Sequence, residues 1–91
     1  MELKWTSKAL SDLVRLYEFQ AVVNKLTAAR TVHLLTAAPA NLLANPRVGS
    51  RLDEFEPREV RRIFVGNYEI RYEIQGFTIY VLRLWHVREN R

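Results

Sequence analysis

The segment that most constrains this chain is Tyr68-Glu69-Ile70-Arg71-Tyr72-Glu73-Ile74-Gln75, a strictly alternating run held between Gly66-Asn67 and Gly76. Successive side chains of a strand point to opposite faces, so Tyr68, Ile70, Tyr72 and Ile74 share one face and Glu69, Arg71, Glu73 and Gln75 the other. A helical period would mix the two sets around the whole circumference. The run is therefore a strand covered on one face, with a reversal of direction at each end. Gly66-Asn67 is a two-residue hairpin loop of the kind that needs positive φ, and it leads back into a candidate strand over residues 58–65. A turn around Gly76 leads on to a final strand over residues 78–86.

The register of the last hairpin decides where Arg83 goes. A two-residue loop pairs Ile74 with Ile79 or Phe77 and drops Arg83 onto the face of Ile70 and Tyr72, where an unpaired guanidinium is costly. A three-residue loop, Gln75-Gly76-Phe77, instead pairs Tyr72 with Tyr80, Ile70 with Leu82 and Tyr68 with Leu84. It also sets Glu69 opposite Arg83 as an exposed ion pair. The three-residue loop is the expected register.

Upstream, Glu2-Leu3-Lys4-Trp5-Thr6 alternates as a short strand with Leu3 and Trp5 inward. Thr6 or Ser7 can cap a helix from Lys8 to about Val22, in which Ala9, Leu10, Leu13, Val14, Leu16 and Tyr17 recur at three- and four-residue spacing. Asn24 caps a second helix with Leu26, Ala29, Val32 and Leu35 on or near one face. Proline in a helix interior deletes a hydrogen bond and clashes with the preceding turn, so the helix either ends near Ala37 or restarts with Pro39 at its first position and runs to Leu43 or Ala44, and the restart is the expected form. Asn45-Pro46-Arg47-Val48-Gly49 is a turn, and the polar stretch after it to Pro57 reads as a loop anchored by Leu52 and Phe55.

These elements predict one α+β domain over residues 1–91, β-α-α-β-β-β, with two helices packed on one face of a small, mostly antiparallel sheet. Two helices cannot cover both faces. The uncovered face is expected to show Ile79, Val81 and Trp85 beside Glu69, Arg71 and Arg83, an apolar stripe in a charged field that marks a partner or ligand surface. The alternative is that the loop before Arg58, or the C-terminus, folds over it.

Composition excludes several classes of chemistry. Cysteine is absent, which removes disulfides, thiolate metal sites and cysteine nucleophiles together. No apolar run approaches the ~18 residues of a membrane span, and Met1 to Thr6 lacks the charged-then-apolar form of a leader, so a cytoplasmic protein without membrane contact is expected. Phosphate loops, dinucleotide fingerprints, serine elbows and metal clusters are missing, and neither cofactor nor metal is expected. The net charge is +4, with 11 of the 14 cations Arg. The guanidinium fork suits a nucleic acid or an acidic protein partner, while a GC-rich genome substituting Arg for Lys would leave the same bias. Arg58-Glu59-Val60-Arg61-Arg62 reads either as a phosphate track or as a solvated sheet edge.

Of the two histidines, His33 lies within the second helix and reads as structural. His86 ends the last strand near Arg83, Arg88 and Arg91. It could serve as general acid or base beside a phosphate held by those arginines, or it could be a strand-end histidine bonded to Glu89 or backbone.

Trp5-Thr6-Ser7-Lys8-Ala9-Leu10-Ser11-Asp12-Leu13, then Asn45-Pro46 with Gly49, then Val60-Arg61-Arg62, Gly66-Asn67-Tyr68-Glu69-Ile70-Arg71-Tyr72 and the ending Val81-Leu82-Arg83-Leu84-Trp85-His86-Val87-Arg88-Glu89 resemble, in order and spacing, the RelE/ParE toxins of bacterial type II toxin-antitoxin modules. The resemblance covers nearly the whole chain. It implies a toxin neutralised by a cognate antitoxin in a hetero-oligomer. RelE-like members cut mRNA on the ribosome, and ParE-like members poison DNA gyrase. The ribonucleases typically carry Tyr-Arg-x-x-Tyr in the third strand, where this chain has Glu69 in the arginine position, and a carboxylate there would repel phosphate. They also often carry a catalytic tyrosine or histidine after the last strand; His86 fits, but no tyrosine follows Tyr80. Trp85-His86-Val87-Arg88 is close to the strand ending common among ParE-like members, and the resemblance favours that branch.

On this resemblance His86 and Arg88 would be catalytic only in a ribonuclease. Arg61, Arg71, Val81, Arg83 and Trp85 would meet the target or an acidic-hydrophobic antitoxin tail folded across the open sheet face. Glu69 would hold Arg83 in place, and truncating Arg83 or Arg88 would abolish toxicity without harming the fold.

Overall fold

The computed structural model describes residues 1–89, so Arg91 lies outside the described residues. Strand β1 (Glu2–Trp5) hands the chain to helix α1 (Ser7–Ala21), and α2 (Lys25–Ala37) runs on into a 3₁₀ helix, Ala38–Leu43, with Pro39 in its first turn. A two-residue strand β2 (Ser50–Arg51), a short 3₁₀ turn Asp53–Phe55, and strands β3 (Glu59–Val65), β4 (Tyr68–Gln75) and β5 (Thr78–His86) follow among the described residues. The five strands form one sheet in the order β1-β5-β4-β3-β2, with β1 parallel to β5 and every other pair antiparallel. The architecture is thus the expected α+β arrangement, with β2 added at the edge.

The helix starts follow the caps read from the sequence. Thr6 Oγ1 accepts from Ala9 N at 3.2 Å while its hydroxyl donates to Val81 O at 2.9 Å, so one side chain both caps α1 and fastens it to β5. Asn24 Oδ1 accepts from Thr27 N at 3.0 Å at the start of α2. The single apolar face expected of α1 is in fact two stripes. Ala9, Leu13 and Leu16 face the sheet, and Leu10, Val14 and Tyr17 face outward and are exposed. In α2 the buried positions are Ala28 and Leu35, and Leu26 is exposed.

Tyr68, Ile70, Tyr72 and Ile74 all point into the core, as the alternation requires, against Ala9, Leu13, Leu16, Leu35 and Leu42. The β4–β5 register differs from the expected one. The loop is the two residues Gly76-Phe77, with Gln75 opposite Thr78 and Ile74 opposite Ile79. Gly76 has φ +57 and Gly66 φ +58, the positive φ that a glycine-first two-residue loop demands. Arg83 still escapes burial. A β-bulge between the pairs Tyr72–Val81 and Arg71–Arg83 inserts Leu82 as an extra residue, shifts the phase of β5 and carries Arg83 to the outer face. Ile70 therefore pairs with Leu84, Tyr68 with His86 and Glu69 with Trp85.

This register corrects the expected open stripe. Ile79 and Val81 lie on the core side and are fully buried, leaving Trp85 and Tyr80 as the aromatic residues of β5 on the outer face. The loop before Arg58 covers part of that face: Leu52 N donates to Val60 O at 2.8 Å, Val60 is fully buried, and the Phe55 ring lies against the guanidiniums of Arg58 and Arg71. Exposed apolar side chains instead gather around the end of α1, with Phe19 80%, Val22 87% and Val23 88% exposed.

Candidate functional site

Past the end of β1, helix α1 itself lies along β5, and Asp12 faces that strand with only 2% of its surface exposed. Its carboxylate accepts from Leu84 N at 2.9 Å, from Arg83 Nε at 2.8 Å, from Arg83 Nη2 at 3.2 Å and from Arg15 Nη1. A buried carboxylate is stable only when paired and hydrogen-bonded in this way. Burial pulls its pKa upward, but the bonds from Arg83, the Leu84 amide and Arg15 more than offset that and hold it below the usual carboxylate range. Arg15 also bonds Leu84 O and Glu89 Oε1, each at 3.2 Å, and Glu89 Oε1 accepts from His86 N at 2.9 Å. The segment after β5 is thereby tied back onto α1.

On the outer face, guanidiniums alternate with aromatic rings. Arg71 stands 4.8 Å from the Trp85 ring centroid and 5.5 Å from that of Phe55, and Arg83 stands 5.7 Å from Trp85. Each cation also meets a carboxylate. Glu69 lies 3.1 Å from Arg71 and 3.9 Å from Arg62, Glu73 takes a two-point bond from Arg58 at 2.7 and 3.1 Å, and Asp12 takes Arg83. The expected Glu69–Arg83 pair is replaced because the bulge places Arg83 opposite Arg71. The hydrogen bond from Arg58, working against burial, lowers the Glu73 pKa.

His86 lies on the other face of the sheet. Its ring meets Tyr68 edge to face at 5.2 Å, and its Nδ1 accepts from Arg88 N at 3.1 Å, so a neutral ring carries its proton on Nε2. A cavity of about 430 Å³ opens beside it, between α1 and the ends of β4 and β5. Leu16, Phe19 and Gln20 line it from α1, with Tyr68, His86 and Arg88 across from them. Gln20 Nε2 donates to Tyr68 Oη at 2.6 Å.

The residues singled out from sequence thus separate into groups. Arg71, Arg83 and Trp85 come together on the outer face, and His86 and Arg88 come together at the cavity. Val81 is in the core and meets neither. Arg61 is engaged elsewhere: its Nε bonds Glu59 at 2.9 Å and its Nη1 bonds Gly49 O at 2.8 Å, clamping the loop before β2. The Asn45-Pro46 and Gly49 motif is explained by the same region. Tyr72 Oη donates to Pro46 O at 2.7 Å and accepts from Gly49 N at 3.0 Å. Sequence reasoning missed Asp12, Phe19 and Gln20. Asp12 carried a signal, since it stands beside Leu13 and one turn before Leu16 on the covered side of α1. Among the described residues, no group of His, Cys, Asp and Glu could hold a metal ion, and no helix is long and apolar enough to cross a membrane.

Comparison with known proteins agrees with the fold. The family described as ParE toxin of type II toxin-antitoxin system, parDE, matches residues 3–91. A solved chain of the chromosomal ParDE TA system from P. aeruginosa is similar with a TM-score of 0.80 at 25% sequence identity, over 94% of this chain and 95% of that one. No curated protein sequence matches.

Proposed function

The chain belongs to the ParE toxin family of type II toxin-antitoxin systems, and on that premise we propose that it arrests growth by binding DNA gyrase rather than by cutting RNA. The observation that carries this reading is the separation of His86 from the Arg71–Arg83 pair; of the two arginines beside His86, Arg15 is taken up by Asp12 and Glu89, which leaves Arg88 alone. General acid–base cleavage needs a proton carrier within hydrogen-bond reach of the phosphate that the cations hold. His86 and the Arg71–Arg83 pair stand on opposite faces of the sheet, and Glu69 neutralises the face on which a phosphate would have to sit. Both features support an inhibitor that works through its surface.

The similar chain from P. aeruginosa comes from a ParDE TA system, and we take this protein to have an antitoxin of its own, held in a hetero-oligomer in the cytoplasm. The open sheet face was the surface expected for it. The exposed Phe19, Val22, Val23 and Leu26 favour the helices instead. A stable complex would bury about 1,000 Å² or more in total. The test is induction in growing cells. Gyrase poisoning gives filamentation and an SOS response while protein synthesis continues. Immediate loss of protein synthesis with codon-phased mRNA cuts would instead establish the ribonuclease reading.

A further inference from the structure

Among the described residues, three buried side-chain atoms make no hydrogen bond, and two of them, Arg15 Nε and Gln20 Oε1, belong to residues that line the cavity beside α1. Folded proteins leave few such atoms, and each calls for a physical reason. The cavity lies beside both residues. Its walls are apolar where Leu16, Phe19 and the Tyr68 ring meet, and its rim is cationic. Arg88 makes no ion pair among the described residues, and the rim carboxylate of Glu89 is held by Arg15. A volume of about 430 Å³ is within the range of ligand pockets and admits one large side chain with part of its backbone. Phe19 belongs both to the cavity wall and to the exposed apolar end of α1. An occupant that fills the cavity and covers that end is a polypeptide.

We infer that this cavity is an anchor site for an acidic segment of the antitoxin. One aromatic or long aliphatic side chain enters between Leu16, Phe19 and Tyr68, and a neighbouring carboxylate pairs with Arg88. The inference rests on the reading that an antitoxin neutralises this protein, and it names the surface that the antitoxin grips.

The experiment titrates the antitoxin encoded beside this protein into wild type and variants whose folding is checked by circular dichroism. Arg88→Glu weakens binding about 30-fold or more and Phe19→Ala about 10-fold. Arg88→Lys, which keeps the charge, stays within about 3-fold, and Phe77→Ala, in the exposed β4–β5 loop, binds as wild type does. In the wild-type complex, nuclear Overhauser contacts join the Leu16 methyls and the Tyr68 ring to an apolar antitoxin side chain. Wild-type affinity in both Arg88→Glu and Phe19→Ala, or a complex without those contacts, overturns the anchor site while leaving the antitoxin reading intact. Failure of the wild-type protein to bind the antitoxin at all overturns both.

Discussion

Replacing Asp12 with alanine removes the acceptor on which α1 and β5 converge. The variant strands the Leu84 N–H, a buried donor whose loss of partner costs about 1–3 kcal/mol. It also leaves Arg83 and Arg15 without their shared carboxylate. A fully buried pair broken in this way costs about 3–5 kcal/mol, but these guanidinium side chains are 32% and 37% exposed and can turn toward water. The net expectation is about 3 kcal/mol. A chain of this length has a stability of about 5–13 kcal/mol, so the loss is large, and the melting temperature should drop by about 12–24 °C. Asp12→Asn keeps an acceptor for Leu84 N–H and loses only the charge, at about 1–2 kcal/mol. Urea titration of the three proteins, read as a shift in midpoint at unchanged slope, measures both values. The pH dependence has a definite sign. The folded pKa of Asp12 is depressed, so its contribution is complete above the unfolded carboxylate pKa of about 3.9 and disappears as pH falls through the lower folded value. Wild type should converge on Asp12→Asn as pH falls below the unfolded carboxylate pKa of about 3.9 and through the lower folded value. An Asp12→Ala loss below about 1 kcal/mol, or no convergence in acid, would refute the claim that this carboxylate ties the helix to the strand.

Three further outcomes are expected. Gly49→Ala sets a Cβ 2.6 Å from both Arg62 O and Tyr72 Oη, so it should cost about 2–4 kcal/mol in the same urea assay. Arg83→Ala leaves Asp12 underpaired and should cost about 1–2 kcal/mol, while Arg88→Ala should stay within about 0.5 kcal/mol of wild type. That contrast revises the expectation that neither truncation touches the fold. Thr6→Ala deletes the cap of α1 and its tie to Val81 O, and thermal unfolding should show a loss of about 1–2 kcal/mol.

The sequence was most legible where one local rule decides the outcome. Alternation fixed the faces of β4, capping side chains fixed the starts of α1 and α2, and Pro39 fixed the break after α2. The β4–β5 register differs from the expected one although Gly76 carries the signal for a two-residue loop. The cost of burying Arg83 was correctly weighed, but a bulge at Leu82 relieves that cost without a longer loop, and no local pattern announces a bulge. The two-residue loop moves Ile79 and Val81 into the core, the bulge returns Arg83 and Trp85 to the outer face, and the expected open stripe becomes a stack of arginines and aromatic rings. The candidate site was only half legible for a related reason. His86 and Arg83 are three residues apart in sequence, yet strand geometry sends them to opposite faces. The cavity beside His86 is built with residues of α1 that are distant along the chain, and sequence spacing does not report such contacts.

Gyrase binding without acid–base chemistry at His86 remains a proposal for this ParE family member. The most direct test adds the purified protein to gyrase, relaxed plasmid and ATP, and follows supercoiling and DNA cleavage on gels. The account predicts loss of supercoiling with accumulation of gyrase-linked DNA breaks, an equal effect from His86→Gln, and reversal by the antitoxin. Gyrase that supercoils normally at large excess of the protein, together with His86-dependent cleavage of ribosome-bound mRNA, would contradict it.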